Sequence, residues 1–296
     1  MTLFCLFNAD DFAVDRGCSS AIVTALEKGR LQGTSVLAGG EDQSSYEALD
    51  KTGCKFINTH LNLLEGRSLS EGGSAFGLTS EDGFFCLSLG QLIKKLYFSS
   101  KKKLLQEWIF KEFCQQIEFV NNCFSDRQIR LDGHLHIHIL PPLRPVIEEL
   151  LKKYPVSYIR TPLELGYKRR SNIVDNIKGN LRRQLLAFWA KDTRVLVSRY
   201  QVPTSDFFLG ATASCNLALD DIDKGLALIS SKTSDRNVTI EIMTHPVNNE
   251  VSESNFYKDS RYRLAHMTTE RQKELELLLS DDLLEIMRKY NAVFVE

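Results

Sequence analysis

The chain has 296 residues and carries 37 basic against 38 acidic side chains, a formal net charge of −1. That balance excludes a global electrostatic pull toward nucleic acid or an anionic membrane. Its apolar runs are of strand length and no basic-then-apolar leader opens it, so the expectation is a cytoplasmic protein without a membrane span; seven scattered cysteines with no Cys-x-x-Cys pair read as reduced thiols.

In chain order, the first apolar run, Leu3 to Ala9, stops at two adjacent carboxylates, Asp10 and Asp11. Like charges side by side at the end of a buried strand are costly unless something positive sits with them. A divalent metal on one and a transferred proton on the other would make the pair useful; a solvated turn capping the next helix is the structural alternative. After Asp15, apolar residues at helical spacing (Ala21, Ile22, Ala25, Leu26) run to Gly29. A strand at 34–38, a short helix at 46–51 and a strand at 55–61 follow, and the alternation predicts a parallel sheet with helical crossovers.

Residues 65–86, rich in glycine, serine and acids, read as a long loop and a candidate substrate lid. A helical region from Gln91 to about Asn122 leads to a strand over 128–138, in which His134, His136 and His138 alternate on one side. Prolines 141, 142 and 145 start another helix, and a strand at 156–160 ends on Arg160. A helix at 173–190, a strand near 206–210, a clear strand at 237–243, helices at 268–279 and 281–290 and a last strand at 292–295 complete the chain. Lys101-Lys102-Lys103 reads as a solvated helix face. With seven or eight strands, no repeat and no linker, the expected fold is α/β: one distorted (β/α) TIM-like barrel of mainly parallel strands, 1–296 as a single domain.

Asp10, Asp11, His60, His134, Arg160 and His245 all fall near the ends of predicted strands, which in a parallel barrel lie on one face, where loops converge to build sites. Carboxylate and imidazole together suit a divalent cation with positions left open for water and substrate. Metal-assisted hydrolysis is the reaction class that follows. Taken singly, each has a structural reading: His60 as a core histidine, Arg160 as the partner of an acid such as Glu164, His136 and His138 as packing or supporting residues.

At these residues the chain resembles the YdjC-like carbohydrate deacetylases, the chitooligosaccharide deacetylase type. The matching pieces are Asn8-Ala9-Asp10-Asp11-Phe12, His60-Leu61-Asn62-Leu63, Asp132-Gly133-His134-Leu135-His136-Ile137-His138 and Glu241-Ile242-Met243-Thr244-His245-Pro246, with Ser260-Arg261-Tyr262, Glu270-Arg271 and Glu274-Leu275 in the tail. The resemblance implies a distorted barrel and a divalent-metal hydrolase, with Mg or Zn, that removes the acetyl group of an N-acetylated mono- or oligosaccharide or glycolipid head group through metal-activated water. It assigns Asp11, His60 and His134 as metal ligands, Asp10 as general base, His245 as general acid and Arg160 as substrate-binding, with Asp10 and Asp11 exchangeable. Two departures stand out: Ala13 where the family usually has glycine, and Val247-Asn248-Asn249-Glu250 after His245-Pro246. The segments 87–127 and 165–205 carry no such match. The alternatives are metal-dependent hydrolysis of another bond such as a phosphoester, against which the scarcity of basic residues at the strand ends speaks, or a catalytically silent carbohydrate-binding barrel. A homodimer is compatible with the sequence.

Overall fold

A computed structural model describes residues 1–40, 43–169, 173–233, 235–248 and 269–296. Its elements are β1 (Leu3–Phe12), α1 (Arg16–Glu27), β2 (Gly33–Val36), α2 (Gln43–Lys51), β3 (Phe56–Leu61), α3 (Leu89–Phe98), α4 (Lys102–Cys123), β4 (Arg130–Gly133), α5 (Arg144–Lys153), β5 (Tyr158–Ile159), α6 (Ile173–Arg199), β6 (Phe207–Leu209), α7 (Leu219–Lys232), β7 (Val238–Thr244), α8 (Thr269–Leu279), α9 (Asp281–Lys289) and β8 (Ala292–Phe294). The strands form one sheet in the order β5-β4-β3-β2-β1-β7-β6, with β8 also paired to β1. Among the described residues the ladders are all parallel. The sheet curls into a half-barrel with helices around it, an α/β, TIM-like fold. Between β5 and β6 two backbone hydrogen bonds, Ile159 N to Pro203 O and Phe208 N to Leu163 O, both 3.1 Å, stand where a closed barrel would have a ladder.

Local chemistry explains the elements. β1 is an apolar run buried along almost its whole length, as a strand flanked on both faces must be. Asp15 caps α1 by accepting from Cys18 N at 2.7 Å, and Gly29, at φ +75°, supplies the left-handed residue after it. The helical region expected over Gln91–Asn122 is two helices, because Ser99 turns to an extended conformation (ψ 128°) before α4 restarts. Lys101, Lys102 and Lys103 at that restart are exposed, as a solvated face requires. The seven cysteines are free thiols.

The two faces of the sheet differ in kind. Cys5, Phe7, Ala9, Ile57, Val238, Ile240 and Ile242 join residues of the surrounding helices in an apolar core. The other face is polar: Asn58 Nδ2 donates to Asn8 Oδ1 at 3.1 Å, and Asn8 Nδ2 to Ser35 Oγ at 2.7 Å and Asp10 Oδ1 at 2.9 Å. The interior of the curl is thus a hydrogen-bonded network, buried polar groups being tolerable only when paired.

Residues 65–86 are packed against α4. Glu112 accepts from the backbone N–H groups of Leu69 (3.1 Å) and Ser70 (2.6 Å), and Trp108 Nε1 donates to Glu71 O at 2.8 Å. Arg67 and Phe84 form an antiparallel bridge.

Candidate metal and catalytic site

At the end of β1 the backbone departs from strand geometry. Asp11 and Ala13 both have φ +72°, and the register to β2 shifts between Ala9 and Phe12. Successive strand side chains normally face opposite ways; this irregularity turns both Asp10 and Asp11 into one cavity, the re-aiming that bulges provide at sites. The cavity, about 410 Å3, is floored by Asp10, Asp11, His60, Glu65, His134 and His245.

Asp11 Oδ1 lies 3.2 Å from His134 Nδ1 and 3.8 Å from His60 Nε2. On its other side His60 Nδ1 is 2.7 Å from Asp132 Oδ1. That contact assigns the proton to Nδ1 and leaves the Nε2 lone pair directed at Asp11. One oxygen and two nitrogens, all within 4.8 Å of one another, can therefore face a single cation. Asp10, His60 and Asp132 also lie within that spacing, but their carboxylates are already met by an arginine.

That arginine is Arg160. Its Nη1 donates to Asp10 Oδ2 at 2.7 Å, its Nη2 to Asp10 Oδ1 at 2.8 Å and lies 2.9 Å from Asp132 Oδ2, and its Nε donates to Glu241 Oε1 at 2.8 Å. Tyr158 OH completes the cluster on Glu241 Oε2 at 2.6 Å. The guanidinium is fully buried and does not line the cavity. It sits behind Asp10, whereas Glu164, the partner considered for it from sequence, accepts from Gly210 N (3.0 Å) and Thr212 N (2.7 Å). Burial would raise the Asp10 pKa, but the Arg160 charge outweighs it and holds the carboxyl well below the usual range. Burial and Arg160 act on Asp132 in the same opposed way, with the same downward result.

The strand expected over 128–138 ends at Gly133, and residues 134–139 form a 3-10 turn in which Leu135 (φ 49°) and His136 (φ 57°) are left-handed. The three histidines therefore do not share one strand face. His134 turns to Asp11 and lies 3.6 Å from Glu65 Oε2. His136 lines the cavity wall, and His138 Nε2 donates to Arg160 O at 2.9 Å. Burial, reinforced by Arg160, keeps His136 neutral with its pKa far below normal, and burial lowers His138 to about 4. His134 goes the other way: burial opposes its charge, but Glu65 and Asp11 lift it to about 10. The pocket between these two carboxylates favours a positive charge, which a divalent cation in the Asp11–His60–His134 set would provide.

His245 follows β7 and is held by α8. Its N–H donates to Glu274 Oε2, and its carbonyl accepts from Arg271 Nε at 2.8 Å. Arg271 Nη2 also donates to Asp11 Oδ2 at 2.9 Å, so one helix fixes both the base of His245 and the orientation of Asp11. Burial raises Glu274 to about 7 against the opposing charge of His245.

Sequence reasoning gave no role to Glu65, Asp132, Glu241, Arg271 or Glu274. Asp132, Glu241, Arg271 and Glu274 stand inside the matched motifs, and that membership was the available signal. Glu65 is a lone carboxylate closing the apolar pair Leu63-Leu64 where the glycine-rich segment begins. Ser260-Arg261-Tyr262 lies outside the described residues.

Among curated proteins, the chain is 25% identical over 257 residues to a carbohydrate deacetylase from Danio rerio, covering 80% of this chain and 79% of that one. It is 26% identical over 244 residues to the carbohydrate deacetylase of Homo sapiens, covering 80% and 73%, and 30% identical over 152 residues to that of Vibrio cholerae, covering 51% and 56%. The fold matches a crystal structure of an Enterococcus faecalis V583 protein named for cellobiose-phosphate cleavage, with a TM-score of 0.66, 19% identity, and coverage of 100% of this chain and 97% of that one. The YdjC-like protein family matches residues 5–289, and the chain belongs to that family.

Proposed function

We propose that this protein is a divalent-cation-dependent hydrolase that removes the acetyl group from an N-acetylated sugar. The observation that carries the reading is the convergence of Asp11, His60 and His134 on one point of a cavity that also holds Asp10 and His245, in a chain whose curated relatives are carbohydrate deacetylases.

A cation held by Asp11, His60 and His134 would supply Lewis acidity, lowering the pKa of water and polarising the acetamide carbonyl. The distances favour Asp11 as ligand and Asp10 as base, since Asp11 Oδ1 faces both imidazoles and Asp10 faces Arg160. Arg160 favours the ionised form of Asp10 and fixes both its oxygens, so the carboxylate is a positioned proton acceptor that the pairing makes a weaker base. His245 protonates the leaving amine, its main chain braced by Glu274 and Arg271. Arg160 acts on substrate through Asp10. Glu65 sits against His134 and fixes its orientation.

The test is acetate release from N-acetylated mono- and oligosaccharides with Mg or Zn supplied, before and after chelation. Chelator should abolish release and metal restore it, and His60→Ala or His134→Ala should lower the rate at least about 100-fold while weakening cation binding. Retained acetate release and cation binding in both variants would overturn the assignment. Cation binding without acetate release would leave a silent barrel.

A further inference from the structure

The cavity changes character between floor and mouth. At the floor, Asp11 faces His60 and His134, Glu65 faces His134, and Asp10 is paired with Arg160, all of them buried. The cavity walls are Leu89 and Ile93 from α3, Leu140, and Leu185, Leu186 and Trp189 from α6. His136, Arg182, Ser214 and Cys215 are the polar exceptions there.

A second sugar in the outer half would find partners for a few of its hydroxyls at Trp189, His136, Arg182 and Ser214 but would press the rest on Leu89, Ile93, Leu140, Leu185 and Leu186, and each hydroxyl taken from water without a partner is costly. A hydrocarbon chain in the same space gains from the same walls. The apolar surface also continues past the mouth. Leu135, held left-handed at φ 49°, is 40% exposed where it lines the cavity. Leu185 is shared between the cavity and an exposed stripe on α6, where Ile177, Leu181 and Phe188 are 63%, 67% and 65% exposed. The spacing 177, 181, 185, 188 puts these on one helix face. A chain leaving the cavity over Leu185 therefore meets more apolar surface before it meets water.

We propose, building on the deacetylase reading, that the substrate is an amphiphile: an N-acetylated sugar whose aglycone is a hydrocarbon chain, seated between α3 and α6 with the acetamide at the floor. The source of such a chain is a glycolipid or a phosphate-linked lipid carrier, and Arg182 at the mouth stands where a phosphate linkage would pass.

The experiment uses the full chain with cation supplied and four probes, all below micelle-forming concentration: the methyl and octyl β-glycosides of N-acetylglucosamine, its trisaccharide, and the octyl phosphodiester. The octyl glycoside should exceed the methyl at least about tenfold in kcat/KM, with the trisaccharide no better than the methyl. Equal rates for methyl and octyl, or a preference for the trisaccharide, would overturn the inference. A further gain from the phosphodiester assigns a phosphate-linked carrier, and no gain a glycolipid. Leu185→Asn and, separately, Leu135→Asn, both at exposed positions, should reduce the octyl-to-methyl ratio at least about fivefold; an unchanged ratio in both overturns the location. Should no probe release acetate, the deacetylase reading falls, and calorimetric titration still decides this inference: tighter binding of octyl than methyl glycoside sustains it, equal binding ends it.

Discussion

Ala13 shows how one residue accommodates the geometry that aims the aspartates. It stands where the resembling family usually has glycine, and its φ of +72° is the conformation that glycine adopts without cost. An L-residue there costs about 1–2 kcal/mol, more than alanine's restriction of the unfolded chain returns, and its fully buried methyl contributes about 0.8 kcal/mol in the other direction. The turn thus keeps a modest strain that the surrounding packing holds in place. The space for that methyl comes from Gly40, where an added Cβ would fall 2.1 Å from Ala13 O and 2.7 Å from Ala13 Cβ. Backbone cannot give way as a side chain can. Gly40→Ala is therefore expected to destabilise the protein by about 2–3 kcal/mol, read as a lower urea midpoint at unchanged m-value, and to weaken cation binding by displacing the turn that carries Asp11.

Among the elements, α8 contributes most to the site for its length. Arg271 spans Asp11 Oδ2 and His245 O, and Glu274 spans the N–H groups of His245 and Leu217. Lysine cannot reproduce the two-pronged contact, so Arg271→Lys should lower cation affinity about 10- to 100-fold by calorimetry while leaving the far-ultraviolet spectrum unchanged; wild-type affinity would show that Asp11 needs no such brace. How much of this was legible varied by element. β1 and its two carboxylates, the helix between Asp15 and Gly29 and the crossover alternation were plain in the sequence because each is a local pattern. The strand that appeared to run through His134, His136 and His138 was misleading because alternating imidazoles imitate a period of two, whereas left-handed φ values at Leu135 and His136 leave no compositional mark. In β7, alternation around Val238, Ile240 and Ile242 casts Glu241 as solvent-facing, yet it is fully buried. That face of the strand opens into the polar interior of the curl, a tertiary property that no local pattern contains. Glu274 and Arg271 lie 29 and 26 residues from His245 in sequence, and their roles follow only from where α8 docks.

In the molecule as a whole, the centre of the half-barrel is held by charge where barrels of this kind are usually packed with branched aliphatic residues. Arg160 joins β1 through Asp10, β4 through Asp132 and β7 through Glu241, with its guanidinium fully buried. Such a cluster is expensive to assemble, and removing one partner leaves the others buried without compensation. Arg160→Met should accordingly cost about 3–5 kcal/mol at pH 7 in urea unfolding, a large fraction of the roughly 5–15 kcal/mol that holds a typical protein folded. The pH dependence gives the cause its signature. Asp10 and Asp132 have folded pKa values held below their unfolded ones, so the stability they contribute is present above the unfolded value near 3.8 and is lost as pH falls toward the folded values. Wild-type stability should fall by up to about 1.4 kcal/mol per pH unit for each of these carboxylates below that point. The Arg160→Met curve should lack this acid limb, so the gap between the two proteins narrows from pH 4 to pH 3. Parallel curves over that range would mean that Arg160 stabilises the half-barrel by packing alone.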